Sequence, residues 1–491
     1  MFYSGRSGIT PPTRRNIKIN VFNQKKNGIA ENLVDLSTPN CFFNISSKSG
    51  ELTEGYGTLP AQIYGNDSTL YVLPQPKSVV DGMWHYKRYD KENGVSDNRL
   101  ILHTKSHELL RLNIDKKEEE YHLINSDFSK IYSAQNYTIG ESNALLLCTE
   151  DGFYSLNGDE LQKIENAPNI KSLCIHNERA FATVQGDETR LFFSKSLDPT
   201  DWTINAESGG YIDFSGDGGK LTGLISFMGF LFVFREYAIE RVSVYADQSD
   251  FSIKKVYSST DRIIEKSIAV CGNKILFISE TGLKSFDGAN VVDLQRVLSQ
   301  DQLSTYTSKC VGTYFRGTYI LSCYLKILST EQTEQVRASS SQNNALFLYD
   351  LVTGNVEIIS DHDVGGFCFT PSEETGEMLF FLNGAENTKI GSIVENRNVR
   401  LGLSVEAYWR TGMTDLGFPE KKKFLKSIVL SSKNNITVCV LLDDKKIKFY
   451  NVKGTGQKLW INRSFSKIGF YFSTVNKSFK VSNPVVTVDM R

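Results

Sequence analysis

The sequence has no two cysteines close enough to form a redox or zinc motif. Its eight cysteines, Cys41, Cys148, Cys174, Cys271, Cys310, Cys323, Cys368 and Cys439, stand singly. Most lie in apolar strand-like runs, where a thiol packs as a small hydrophobe. This excludes a disulfide scaffold and a thiolate zinc site, and reduced core cysteines imply assembly in a cytoplasm. Proline is scarce, eleven in 491 residues, and there is no low-complexity tract, which excludes a disordered chain. Long hydrophobic runs are missing too. The longest, GLISFMGFLFVF from Gly223, is too short to cross a bilayer, and the opening MFYSGRSGITPPTRR holds no apolar stretch of export-signal length. The Asn44 and Asn136 sequons therefore carry no expectation of glycosylation.

Net charge is nearly absent, at −1, but the charges are segregated. Residues 1–30 carry +6, residues 396–491 carry +12, and the body between them carries −19. Such asymmetry speaks to partners rather than to fold.

What the chain does have is a repeat. NALLLCTEDGFYSLNG from Asn143 is echoed by NKILFISETGLKSFDG from Asn273, 130 residues later. Apolar strand centres recur as LILH at Leu100, LLLC at Leu145, LFFS at Leu191, LFVF at Leu231, ILFI at Ile275, ILSC at Ile320 and LFFL at Leu379. The spacings are 45, 46, 40, 44, 45 and 59. The last gap contains a polar insertion, residues 329–344, without which it shortens to 43. The offset of 130 is then three units of roughly 43 residues. Most centres lead through a Gly/Asn/Asp turn, such as Asp151-Gly152 or Asp287-Gly288, into a further strand. A period of about 40–50 residues with several strands per unit predicts a β-propeller. Seven centres suggest about seven blades, with six or eight open; a plain β-sandwich has no reason to hold such a period. NIKINVF at Asn16 is a candidate closing strand, and DLQRVLSQDQLSTY from Asp293 reads as a helix between blades. From Asn396 the repeat gives way to alternating strands with charged turns, a basic antiparallel β-sandwich. The domain reading is an N-terminal extension over 1–60, a propeller over 61–395 and the sandwich over 396–491.

No candidate site survives scrutiny of the motifs, and none is assigned: no catalytic, cofactor-binding or metal-binding residue is expected, and no enzyme. DFSGDGGKLTG from Asp213 imitates a calcium loop, but Leu224 stands where a bidentate Glu is required. His103 and His107 straddle a strand and a turn, and alternation points them apart. SKSLDPTDWT from Ser194 is close to the sialidase Asp-box, in which Asp198 would bond turn amides and Trp202 would pack beneath. The lysine clusters Lys421, Lys422, Lys423, Lys426 and Lys445, Lys446, Lys448 invite a nucleic-acid reading, but no nucleic-acid motif accompanies them.

Four stretches carry a resemblance: ETRLFFSKSLDPTDWT, GKLTGLISFMGFLFVFREYAIERV, IIEKSIAVCGNKILFISETGLKSFDG and TDLGFPEKKKFLKSIVL. Together they span about residues 180–430, and the chain there resembles β-propeller structural proteins of tailed bacteriophages, of the neck, stopper and tail-stabilisation type. The resemblance implies a virion part without catalytic residues or cofactors. It would be assembled in the host cytoplasm as a homo-oligomeric ring that contacts other neck or tail proteins and encloses passing DNA without a membrane span. An acidic lining would leave that DNA free to pass. The alternatives are a cellular propeller scaffold that binds protein partners, and a carbohydrate-binding or carbohydrate-hydrolysing propeller.

Overall fold

In the computed structural model, the middle of the chain forms seven four-stranded antiparallel blades around a common axis. The structure describes residues 13–19, 22, 41–48, 50–64, 69–214, 216–245, 247–294, 309–325, 342–371, 376–384 and 387–490. The blades begin with Val80–Asp90, Ile131–Ile139, Ile170–His176, Leu221–Phe227, Ala269–Cys271, Val311–Phe315 and Val364–Thr370. These first strands adjoin their neighbours around the ring, the first meeting the last and blade 4's meeting the turn at Glu265–Ser267 that leads into blade 5, and so line the axis. Blades 1 and 2 are further stitched into one sheet by the pairing of Asp90 with Ser142.

The sequence repeat maps onto the second strands. Leu100–Leu102, Leu145–Leu147, Leu231–Val233, Ile275–Phe277, Ile320–Leu321 and Leu379–Phe380 are almost wholly buried. A strand inside a blade has neighbouring blades over both faces, so its apolar run is continuous rather than alternating. The two echoing stretches are the second and third strands of blades 2 and 5, three units apart. Blade 3 departs from the expected register. LFFS at Leu191 belongs to its third strand, Asp187–Phe193, while its second strand is Arg179–Val184. The small residues Ala180 and Ala182 make that strand a weaker apolar signal, so the third strand's LFFS stands in for it in the sequence pattern.

Ring closure also differs from expectation. The fourth strand of blade 7 is supplied by Gly57–Pro60, paired with Ile390–Val394. The Asn16 segment does not close the ring: Thr13–Lys18 pairs with Val485–Met490 at the opposite end of the chain. Asp293 ends the fourth strand of blade 5, and the remainder of the expected helix lies outside the described residues. So does most of the polar insertion, which falls between the second and third strands of blade 6. Its last residues, Asn343 and Asn344, seal that hairpin's base by donating to the Lys309 and Leu325 carbonyls.

The C-terminal domain is an antiparallel β-sandwich made by folding one ten-stranded sheet over itself. The fold is set by the bent strand Lys423–Leu442. Its first half pairs with Val485–Met490 and its second half with Ile468–Thr474, with register shifts between them. Between the layers pack Phe42, Trp409, Leu425, Val438, Phe472 and Val488, with Phe42 stacked on Trp409 at 4.6 Å. N-terminal strands Thr13–Lys18, Cys41–Phe43, Ser46–Lys48 and Glu51–Thr53 belong to this sheet, so the sandwich draws on both ends of the chain. Its core is continuous with blades 5 and 6 through Phe347, Val356 and Ile358. Asn44 reinforces the joint, exchanging hydrogen bonds with Ile358 and Ser360 on the outer strand of blade 6.

Candidate functional site

The motifs singled out in the sequence prove to be fastenings. His103 is buried; its Nδ1 bonds Asp81 Oδ1 at 2.5 Å and its Nε2 donates to the Phe128 carbonyl at 2.9 Å. Both ring nitrogens are thus engaged. The His107 ring does not point away but meets the His103 ring edge-on at 6.3 Å, because the turn gives His107 a positive φ of 63°. In the Asp-box-like loop, Asp198 accepts from the Thr200 amide and hydroxyl. Trp202 lies buried against Phe153 and donates to the Pro199 carbonyl. Losing the two Asp198 bonds in Asp198→Ala is expected to lower unfolding free energy by about 1 kcal/mol, measurable by urea denaturation.

The glycine-rich loop after Asp213 already holds a cation of its own. The buried Arg235 guanidinium donates to the Gly216 carbonyl at 3.1 Å and to the Gly219 carbonyl at 2.7 Å, and it pairs with Glu240 at 3.0 Å. A Cβ on Gly218 would stand 2.6 Å from the guanidinium carbon. Glycine is needed there because the backbone wraps around Arg235. Asp217, the most calcium-like side chain, points into solvent, with Lys255 3.3 Å away.

The site with unabsorbed chemistry is the sandwich's basic layer. Its strands, in order, are Thr13–Lys18, Val485–Met490, the first half of Lys423–Leu442 and the second half of Lys445–Phe465. Arg14, Arg15 and Lys18 of the basic N-terminal stretch thereby share one sheet with strands of the basic C-terminal stretch. The outer strand Lys445–Phe465 is 21 residues long and, among the described residues, is paired along one side only. Its second half, in this layer, exposes Lys453, Lys458, Arg463 and Trp460, and its first half, which runs on beside the second half of Lys423–Leu442, exposes Lys445, Lys448 and Phe449. Trp460 is 61% exposed with the Lys458 ammonium 4.2 Å above its ring. Charge on a free edge discourages random strand pairing and leaves the edge for a matched partner. The layer's carboxylate, Asp489, is already committed: Arg14 bonds it at 2.9 Å and holds it below its ordinary pKa, and Lys426 lies 3.7 Å away.

The two lysine clusters behave differently. Lys445 and Lys448 are solvated. Lys423 is turned inward, where it donates to the Phe418 carbonyl at 2.6 Å, and burial lowers its ammonium pKa. The patch is therefore smaller than the sequence run KKKFLK suggests on one side. It is larger on the other, because Arg14 and Lys18 join it. Basic character at both termini was the available signal; that the termini share a sheet was not.

By architecture, this is a β-propeller with an appended β-sandwich. No family model and no curated protein matches the chain. Among solved structures, BBS1N crystallised in complex with ARL6DN is similar at 9% identity, over 68% of this chain and 95% of that one, with a TM-score of 0.42. The N-terminal domain of Nup159 is similar at 8% identity, over 70% and 96%, with a TM-score of 0.40. The Pan2 WD40 domain of Neurospora crassa is similar at 8% identity, over 61% and 85%, with a TM-score of 0.37. Among the described residues of the propeller and sandwich, no helix is long and apolar enough to cross a membrane.

Proposed function

We propose that this protein is a non-catalytic assembly component that binds protein partners, its propeller serving as a rigid body and its basic sandwich layer as the joint. The observation that carries this reading is the free, basic, 21-residue edge strand presented by a sandwich whose core is continuous with an acidic propeller. Opposite charges at two ends of one rigid body suit head-to-tail contacts, in which the basic layer of one copy meets the acidic body of the next and rotation closes a ring. Contacts of this kind weaken with salt, since the screening length falls from about 10 Å at 0.1 M to about 3 Å at 1 M. Sedimentation at 0.05 M and 0.5 M salt is expected to show a larger assembly at the lower concentration. Lys445→Glu, Lys448→Glu and Lys458→Glu together are expected to abolish it without changing the unfolding midpoint. A chain that sediments as a monomer at both salts, with or without these changes, would defeat the self-assembly reading.

The sequence favours one setting for such a component. The stretches from Glu188 to Thr203 and from Ile263 to Gly288 resemble tailed-phage neck and tail proteins. In this second reading the ring belongs to a virion and supports head–tail assembly around passing DNA. Electron microscopy of tailed particles with the chain labelled tests it: density at the neck or tail is expected, and unlabelled particles would rule it out.

A further inference from the structure

Strand pairing sets out the outer face of the sandwich's basic layer in three rows. The first runs Arg14, Asp489, Phe424 and Ser464, the second Asn16, Thr487, Ser427 and Trp460, and the third Lys18, Val485, Val429 and Lys458. The intervening residues Leu425, Ile428, Val486 and Val488 are buried in the core, so these rows, apart from the covered Ser427, face outward. Same-face rows lie about 7 Å apart and neighbouring strands about 5 Å apart, which makes this a flat surface of roughly 14 by 14 Å.

The face carries four cations. Lys426 is left out of the ladder by the register shift between Leu425 and Ser427. Its ammonium joins the same face, 4.7 Å from the Phe424 ring centre and 3.7 Å from Asp489. Arg14, Lys18 and Lys458 complete the set. Asp489 is the only carboxylate in the strand segments of this layer, and Arg14 already binds both of its oxygens, at 2.9 and 3.3 Å. In the adjoining turns, Asp415 and Asp443 act on the inward-turned Lys423, and Asp443 also accepts from the Ser466 and Lys467 amides. Glu420 is followed directly by Lys421 and Lys422. Four cations against one carboxylate leave three positive charges uncompensated, spread over the surface rather than gathered at a point. Among them stands Trp460, 61% exposed, with the Lys458 ammonium 4.2 Å above its ring.

We propose that this face binds single-stranded nucleic acid, with Trp460 stacking on a base and Arg14, Lys18, Lys426 and Lys458 following the sugar–phosphate backbone. Spread charge of one sign matches a polyanion, and an exposed indole between cations matches an unpaired base, whose π-face it can cover whatever the sequence. An acidic protein segment would meet the charges and leave the indole unused. In a duplex the bases are already stacked on one another. The inference goes beyond the assembly reading and does not rest on it, since Lys445 and Lys448 of the edge strand lie outside these rows.

Fluorescence anisotropy of a labelled oligothymidylate about 15 nucleotides long, titrated with the full chain, tests the face. Saturable binding is expected, with log K falling against log salt at a slope of about −2 for three neutralised phosphates. Lys18→Ala with Lys426→Ala should flatten that slope by about 1.4. Trp460→Ala should weaken binding about tenfold or more and abolish the quenching of tryptophan fluorescence by the oligonucleotide. Lys445→Ala with Lys448→Ala, which bears on the edge contact, should leave oligonucleotide affinity unchanged, so failure of the assembly reading and failure of this one are told apart. Equal unfolding midpoints check that each variant is folded. The proposal is overturned if the wild-type chain does not bind the oligonucleotide, if a duplex of the same length or polyglutamate binds as tightly, or if Trp460→Ala binds as well as the wild type.

Discussion

Replacing Arg235 with methionine is expected to reduce the unfolding free energy by about 3–5 kcal/mol. Arg235 is 2% exposed and ends the second strand of blade 4, Phe230–Arg235. It satisfies two loop carbonyls and the carboxylate of Glu240, itself only 6% exposed. Methionine keeps much of the volume, so the loss is chiefly that of an unpaired buried carboxylate rather than of a cavity. The pairwise character can be separated by a double variant. Arg235→Met with Glu240→Leu removes both charges and is expected to recover more than half of the loss, since an apolar pair of similar shape is often neutral. Arg235→Lys retains the charge without the forked donors and should fall in between. Urea denaturation of the three variants decides: a loss below about 1 kcal/mol for Arg235→Met, or no recovery in the double variant, contradicts this account.

The same device recurs around the ring, which is why the sequence motifs looked like sites. Arg99 pairs with Asp97 and Asp159 and donates to the Gly158 carbonyl; Arg179 donates to the carbonyls of Ser194 and Ser208; Lys284 pairs with Asp293. Each buried cation ties a loop to its blade. Acidic and glycine-rich loops such as the one after Asp213 therefore fill a structural requirement that in isolation imitates ligand binding. From sequence, a loop that coordinates an ion and one that coordinates an arginine 16 residues away have the same composition.

What was legible followed from local chemistry. The second strands of the blades announced themselves because burial on both faces demands unbroken apolar runs, and Gly152, Gly158 and Gly288 marked hairpins that need positive φ. What was not legible depended on distant pairing. Gly57–Pro60 is four residues ending in proline, with no strand signature; only its partner Ile390–Val394, more than 300 residues away, makes it the closing strand. Thr13–Lys18 reads equally well as a closing strand or a sandwich strand, and the choice is made by Val485–Met490. The basic layer was half visible: the charges of both termini could be counted, but their convergence required the fold.

Acidification is expected to weaken the ring at its closure. His362, between blades 6 and 7, is fully buried beside the closing strand. Its Nδ1 donates to the Ser360 carbonyl at 2.8 Å, so Nε2 is left to accept from the Thr58 hydroxyl, also at 2.8 Å. Thr58 Oγ1 in turn accepts from the Leu401 amide. A proton on Nε2 would place a second donor against an oxygen already committed. Burial lowers the His362 pKa from its ordinary 6.5 to about 4; nearby Arg400 adds to this, and Asp361 and the bond to Ser360 oppose it. Since the folded-state value is depressed, the neutral ring contributes fully above pH 6.5, and the contribution drains away as pH falls from there to about 4. Over that interval the loss amounts to about 3 kcal/mol. His362→Gln keeps a neutral polar group but cannot titrate. Unfolding free energies of the two proteins, measured between pH 7 and pH 4, should therefore converge on acidification, with the wild type falling more steeply by roughly that amount. Thr58→Val should narrow the same gap, because His362 Nε2 then has no partner in the neutral state either. Parallel pH profiles for wild type and His362→Gln would show that the closing strand is held by its ladder and packing alone.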